Sequence, residues 1–122
     1  MATDHLSLFL STSAEGVPVL VTSTTHPAQL VHVAHATAHD YITLWVNNFH
    51  TDDVEVNTYV TANGVASDST SPVASTIIIP PKSGKAILEP GVPLTGSRNL
   101  KIRASVTNVV TFQGYVYRRI QT

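Results

Sequence analysis

The chain has no cysteine and little charge. Without cysteine among its 122 residues, it cannot form disulfide bonds, iron–sulfur clusters, thiolate nucleophiles or cysteine-based zinc sites. Charged residues are 12% of the chain, about half the usual share of a globular domain. Either serine, threonine and asparagine solvate the surface, or partner chains cover part of it.

Long apolar runs are also missing. No stretch approaches the roughly 20 apolar residues that a membrane-spanning helix needs. The first ten residues have no basic segment and carry Asp4, which does not fit a secretory signal peptide. We therefore expect synthesis in a cytosol and no membrane partner.

What the chain has in abundance is β-branched residues. Valine, threonine and isoleucine supply 39 of the 122 residues, and their stiff side chains suit a pleated sheet better than a helix. Alternating apolar and polar residues predict about nine strands, and Pro90–Gly91 is predicted to be a turn. The predicted strands are residues 6–11, 17–22, 30–36, 41–47, 54–60, 75–79, 85–88, 100–104 and 110–120.

This pattern predicts the fold class. One-sided alternation is typical of antiparallel sheets with one solvated face, and short strands at even spacing indicate a sandwich or barrel. We predict one all-β domain over residues 1–122, an antiparallel β-sandwich, with a jelly roll preferred over an immunoglobulin-like arrangement. Residues 1–28 are either an N-terminal arm or the first strand pair.

Charge is distributed unevenly along the chain. Residues 1–81 contain seven acidic groups and no lysine or arginine, whereas residues 82–122 contain all seven basic groups and one acid, Glu89. Two interpretations stay open. Strands from both halves can interleave so that the charges mix, or acidic and basic faces can meet on neighbouring subunits.

The residues offer no recognisable catalytic apparatus. Five of the six histidines lie between His26 and His50, but odd spacing or about 13 Å of strand separates them, so no metal chelate is preassembled. The Asp52–Asp53 pair lies where a loop enters a strand, as turn residues do. A nucleophile elbow and a phosphate-binding loop are absent. We expect no enzyme activity, no catalytic residue, no cofactor and no metal.

Two groups of residues are candidates for a binding function. Arg118 and Arg119 beside Tyr117 could form a basic aromatic stripe, but the isoelectric point near 6.6 argues against a nucleic-acid partner. A subunit contact fits these residues better. Trp45, Tyr41 and Tyr59 could form a platform on which sugar rings stack. This function stays an alternative, although aromatic residues such as Trp45 fit a protein interface better.

About three quarters of the chain resembles small virion proteins of tailed bacteriophages. The resemblance lies in the order of several segments: residues 30–34 (Leu-Val-His-Val-Ala), 42–48 (Ile-Thr-Leu-Trp-Val-Asn-Asn), 54–59, 77–84 (Ile-Ile-Ile-Pro-Pro-Lys-Ser-Gly), 100–104 and 114–120 (Gly-Tyr-Val-Tyr-Arg-Arg-Ile). Such proteins are β-sandwiches that decorate or cement the capsid, or belong to the neck or tail. The first 28 residues have no part in it.

The resemblance implies a structural role on the virion. We expect a capsid decoration or cement protein, made in the host cytoplasm, whose partners are the major capsid protein and its own copies in a homotrimer. The alternative is a receptor- or carbohydrate-binding module of a tail fibre. Lys82 and Lys85 are expected to lie in a turn away from the contact. The expected interface residues are Trp45, Tyr117, Arg118, Arg119, Lys101, Arg103, Asp52 and Asp53.

Overall fold

A computed structural model describes the backbone of residues 3–121. Those residues form nine strands and one 3-10 turn, Ala14–Gly16, and contain no α-helix. This confirms the predicted all-β class. The strands are β1 (Thr3–Phe9), β2 (Val19–Leu20), β3 (Gln29–Val33), β4 (His39–Asn48), β5 (Val54–Thr61), β6 (Val73–Ile79), β7 (Lys85–Leu94), β8 (Asn99–Ala104) and β9 (Val110–Gln121).

The strands build two antiparallel sheets. Sheet A has the order β1-β9-β4-β7, with β2 pairing β9 beyond the end of β1. Sheet B has the order β3-β8-β5-β6. The inward faces of both sheets share one core, which makes the molecule the antiparallel sandwich that the alternation predicted. The preference for a jelly roll stays a prediction.

The core consists of the alternate residues of the central strands. In β4, Ile42, Leu44 and Val46 are buried, while the residues between them face outward. Phe112 of β9 is the largest fully buried side chain. One carboxylate, Glu89, lies among these apolar groups and accepts hydrogen bonds from the hydroxyls of two other strands, which is the condition for burying a polar group at modest cost.

Two local predictions were wrong. The Pro90–Gly91 pair does not end a strand. The register against β4 shifts at Gly91 and again at Leu88, so β7 has a β-bulge at each of these positions. The strand continues to Leu94. The second predicted strand shrinks to Val19–Leu20. Residues 3–28 do not form an arm: β1 and β2 both pair with β9, one after the other.

A glycine sets the closest approach inside sheet A. Gly114 of β9 pairs with Leu44 of β4. A Cβ atom at this position would lie 2.0 Å from the carbonyl oxygen of Thr43. Since that atom belongs to backbone and cannot rotate away, only glycine fits in this part of β9.

Candidate functional site

The outer face of sheet A carries aromatic side chains from neighbouring strands. Tyr115 of β9 pairs with Phe9 of β1 on one side and with Thr43 of β4 on the other. Two residues further along, Tyr117 pairs with Tyr41. Because residues two apart in a strand lie on the same side of the sheet, both tyrosines of β9 face solvent together.

A further row extends this surface toward the edge of the sheet. Trp45 of β4 lies between Gln113 of β9 and Ile87 of β7. Phe9 is 58% exposed, Ile87 57% and Tyr115 45%, values that isolated monomers seldom combine on one face. We call this surface the aromatic face and define it by six residues: Phe9, Tyr41, Trp45, Ile87, Tyr115 and Tyr117.

A groove of about 600 Å3 opens on the aromatic face. Its walls include Phe9, Trp45 and Tyr115, and the rings of Trp45 and Tyr115 lie 5.7 Å apart at 46°. Gln113 and Lys85 line it as well. The groove therefore combines flat apolar surfaces with an amide and a cation, the composition of a site that binds an amphipathic partner.

The polar groups of the groove are held in place. The Nε2 of Gln113 donates to the carbonyl of Gly16 at 3.1 Å, which fixes the amide on the groove wall. Lys85 and Arg119 supply positive charge, and the outward-pointing strand residues of sheet A whose side chains the structure describes include no acid. This face therefore suits a partner with apolar and acidic groups.

Part of the outer face of sheet B is covered by the chain itself, whereas Ile78 of β6, which pairs with Glu55 on the same face, is 62% exposed. Residues 62–72, the connection from β5 to β6, contact the covered part through Val65. The ammonium of Lys101 in β8 donates to the carbonyl of Val65 in this connection at 2.9 Å. A charge-assisted hydrogen bond of this kind is among the stronger ones in proteins, so Lys101 fastens the connection to the sheet.

A second loop, around His26, covers Tyr59 on the same face. The ring of His26 packs edge-on against Tyr59, with centroids 4.9 Å apart, and its Nδ1 lies 2.9 Å from the hydroxyl of Ser67. Arg103 of β8 donates to the carbonyl of Thr24 in the same loop. As a result Tyr59, which points out of sheet B, is only 3% exposed.

Four polar residues form a network that joins the two sheets. His32 of β3 donates from Nε2 to Asp40 of β4 at 2.8 Å. Arg118 of β9 binds both oxygens of the same carboxylate, at 2.7 and 2.9 Å. The hydroxyl and backbone N–H of Ser11 lie 2.7 and 3.0 Å from Nδ1 of His32. Since that N–H needs an acceptor, Nδ1 is unprotonated.

The network has one defined charge state at neutral pH. Burial lowers the pKa of His32 from its ordinary value of 6.5, although the Asp40 carboxylate acts to raise it. Burial acts to raise the pKa of Asp40, but hydrogen bonds from Arg118 and His32 outweigh it and hold that pKa below 3.8. The bond to Asp40 raises the pKa of Arg118. His32 is neutral and the other two residues form an ion pair.

The order Ser11, His32 and Asp40 resembles the nucleophile, base and acid of serine hydrolases. Three features argue against that chemistry. The Ser11 hydroxyl accepts a bond from the Val33 N–H at 3.1 Å, which occupies one of its two lone pairs and makes the oxygen a poorer nucleophile. Arg118 already neutralises Asp40, so the carboxylate stabilises an imidazolium less. The groove on the aromatic face is not lined by Ser11. We interpret the network as a structural junction.

The sequence indicated only part of this network. Asp40 is one of the seven acidic groups of residues 1–81 and Arg118 one of the seven basic groups of residues 82–122, and the two pair within one subunit. Ser11 gave no signal, because a serine near a strand end is common and its distance of 21 residues from His32 hides the contact.

Of the predicted interface residues, three lie on the outer side of sheet A. Trp45 and Tyr117 belong to the aromatic face, and Arg119 pairs with His39 at one end of it. Asp52 and Asp53 are exposed in the connection between β4 and β5. Lys101, Arg103 and Arg118 are held in contacts inside the subunit.

This placement separates the predicted interface residues into two groups. Lys101 and Arg103 donate to loop carbonyls and Arg118 pairs with Asp40 inside the subunit, and their part in a contact with a neighbour stays a prediction. Lys85, expected to lie away from the contact, begins β7, where the strand over residues 85–88 was predicted, and lines the groove. Phe9 and Tyr115 also belong to the groove but were not among the predicted interface residues; their shared parity with Tyr117 and Trp45 across the sheet was the signal that could have found them.

The other predicted groupings are separated in space. Tyr59 lies on sheet B, so it cannot share a sugar platform with Trp45 and Tyr41 of sheet A. His35 accepts the Ala38 N–H at 2.9 Å, a local contact typical of a structural histidine. Among the side chains that the structure describes, no three histidines, aspartates or glutamates come together as a metal site would require.

Comparisons with protein-family models and with curated proteins give no match. Within the described part of the chain, no helix has the length and apolar character required to cross a membrane.

Proposed function

We propose that this protein is a non-catalytic structural component of a tailed-phage virion, a capsid decoration or cement protein, and that the aromatic face is its attachment surface. The observation that carries the proposal is the contrast between the two outer faces. Loops bury Tyr59 on sheet B, while Tyr115 on sheet A stays exposed. An apolar area that the chain leaves open is typical of a protein interface.

The chemistry of the aromatic face describes its partner. Aromatic side chains carry most of the affinity of protein interfaces. Lys85 and Arg119 add positive charge, so the major capsid protein would present apolar groups together with carboxylates. Exposed ion pairs contribute only about 0–1 kcal/mol each and would set orientation. The family resemblance also implies that three copies of this chain associate with one another.

Two matched phenylalanines test this attachment surface. Phe9 lies on the aromatic face, whereas Phe49 lies outside it in the connection after β4, and they are 58% and 50% exposed. We expect Phe9→Ser to reduce co-sedimentation with phage capsids at least tenfold, and Phe49→Ser to leave it unchanged. Equal loss in both variants, or in neither, would contradict the proposed surface. Cryo-electron microscopy of the particle would locate the protein, and density confined to a fibre tip would exclude the capsid.

A second candidate is a carbohydrate-binding module of a tail fibre. The groove favours it, because the rings of Trp45 and Tyr115 offer apolar faces for a sugar ring and Gln113 offers a fixed amide. Titration of a glycan library, followed by tryptophan fluorescence, tests this function. A specific saccharide that changes Trp45 emission and loses affinity in Gln113→Ala would support it over the capsid role.

A further inference from the structure

Sheet edges expose unpaired backbone groups, and two of the edge positions here are protected. The edge of β3 is capped by the loop after β1, where the hydroxyl of Thr12 donates to the carbonyl of Val31 at 2.7 Å and Ser11 accepts the N–H of Val33. The edge strand β7 carries Pro90 and Pro93 together with two bulges.

The remaining edge of sheet A is discontinuous. β1 and β2 share it along β9, and β2 has only two residues. The loop and 3-10 turn between them limit the continuous row of hydrogen-bonding groups to the seven residues of β1, which include the charged Asp4. Proline, bulges, short strands and charged residues are the devices by which proteins prevent edge-to-edge association. The edges of β3 and β7 are therefore poorly suited to accept another strand, and the edge of β1 carries one charge.

β6 has few of these protections. It contains seven residues, Val73–Ile79, with no charge and no proline, and one bulge near its start, where its register against β5 shifts. Within residues 3–121, it pairs with β5 alone. Ile78 is 62% exposed and Val73 54%. An uncharged, β-branched edge strand is the type that pairs with another chain.

The polar side chains of β6 do not solvate this edge, because they bond within the subunit. The hydroxyl of Ser75 donates to Glu89 at 2.7 Å, and that of Thr76 donates to Asn57 at 2.8 Å. β6 therefore offers its backbone N–H and C=O groups and aliphatic side chains to a partner. Only an extended strand satisfies such a row of donors and acceptors.

We propose that the partner is β6 of a second copy, paired antiparallel across a two-fold axis. A strand paired with its own copy in this way is self-complementary, and the absence of charge in Val73–Ile79 means that no like charges meet between the two strands. The contact joins the two four-stranded sheets B into one continuous sheet and leaves both aromatic faces open. It is independent of the capsid role and predicts an even number of subunits, in contrast to a trimer.

Two matched isoleucines test the proposal. Ile78 lies on β6, and Ile87 lies on the aromatic face with 57% exposure. Light scattering after size exclusion should give twice the chain mass of 13.1 kDa for the native protein. Ile78→Lys should raise the dimer dissociation constant about tenfold or more, because a charge on an edge strand opposes pairing. Ile87→Lys should leave it unchanged, and circular dichroism should show both variants folded.

Hydrogen exchange gives a second readout that needs no variant. Raising the protein concentration should slow exchange of the β6 amides and leave the edge amides of β7 unaffected. A monomer at millimolar concentration, a trimeric mass, or dissociation by Ile87→Lys instead of Ile78→Lys would overturn the proposal. None of these outcomes bears on capsid attachment, which Phe9→Ser tests separately.

Discussion

The two outer faces of this sandwich differ in how far loops of the same chain cover them. On sheet B, the loop around His26 and the connection around Val65 lie over the strands and bury Tyr59. On sheet A, no comparable cover protects Tyr115, which is 45% exposed. Both tyrosines occupy outward positions of central strands, so the alternation of the sequence treats them alike.

The difference shows that exposure of an outward residue is decided by long-range contacts. Lys101 and Arg103 alternate with the core residues of β8 as solvated residues would, yet both serve as anchors for the covering loops. On sheet A the cations Lys85 and Arg119 have no such role in the described structure. The charge and the aromatic area of the uncovered face therefore stay open to solvent.

The largest expected effect is the difference in unfolding free energy between a Tyr59 variant and a Tyr115 variant. Tyr59→Ala should lower the free energy of unfolding by about 3–5 kcal/mol, as for other buried aromatic residues. Tyr115→Ala should change it by less than about 1 kcal/mol, since surface substitutions have small effects. Urea unfolding followed by circular dichroism measures both. Equal losses in the two variants would show that the faces are equivalent in stability.

The junction beneath both faces should be nearly as sensitive. Asp40→Asn removes the charge that pairs Arg118 and lies fully buried, and we expect a loss of about 3 kcal/mol, as for other broken buried ion pairs. Asp53→Asn, in an exposed loop, is the matched control and should be neutral. If both variants unfold at the native urea midpoint, the network does not join the sheets energetically.

Acid should weaken the same junction. The pKa of His32 is lowered in the folded state, so below its ordinary value of 6.5 the unfolded chain binds more protons than the folded one. Stability is then lost as the pH falls from about 6.5, and the lowered pKa of Asp40 adds a further loss below about 3.8. Urea midpoints at pH 7 and pH 5 should therefore differ.

The histidine responsible can be identified by substitution. His32→Gln keeps a polar side chain but cannot titrate, so the difference between the two pH values should shrink in this variant. His50→Gln, in the connection after β4, should keep the full difference. A His32→Gln protein that is as acid-sensitive as the native one would assign the effect elsewhere.

The smallest expected effect concerns charge on the aromatic face. Arg119→Glu should weaken capsid binding by up to about 1 kcal/mol, the range of exposed ion pairs, whereas Lys82→Glu in the turn before β7 should not. In about 1 M salt, where the Debye length is near 3 Å, native binding should fall only modestly because apolar burial supplies most of the affinity. Co-sedimentation at two salt concentrations measures this, and a loss of binding at high salt would contradict the aromatic contact.

The fold class and most of the strands could be predicted from the amino-acid sequence alone. Strict alternation in β4 placed Ile42, Leu44 and Val46 inside, because a pleated strand sends successive side chains to opposite faces. β-branched composition and the lack of helix-forming residues acted in the same direction. These are local properties, and local properties can be read from a single chain.

Long-range packing determines which outward residues are exposed to solvent and which polar residues contact each other. The Pro90–Gly91 pair became a bulge because β4 supplies hydrogen bonds on both sides of it. Ser11 reached His32 across 21 residues, and Lys101 reached Val65 across 36. Such contacts depend on how loops fold over the sheets, which the period of a strand does not encode. The open aromatic face and the unprotected edge of β6 follow from the same long-range arrangement.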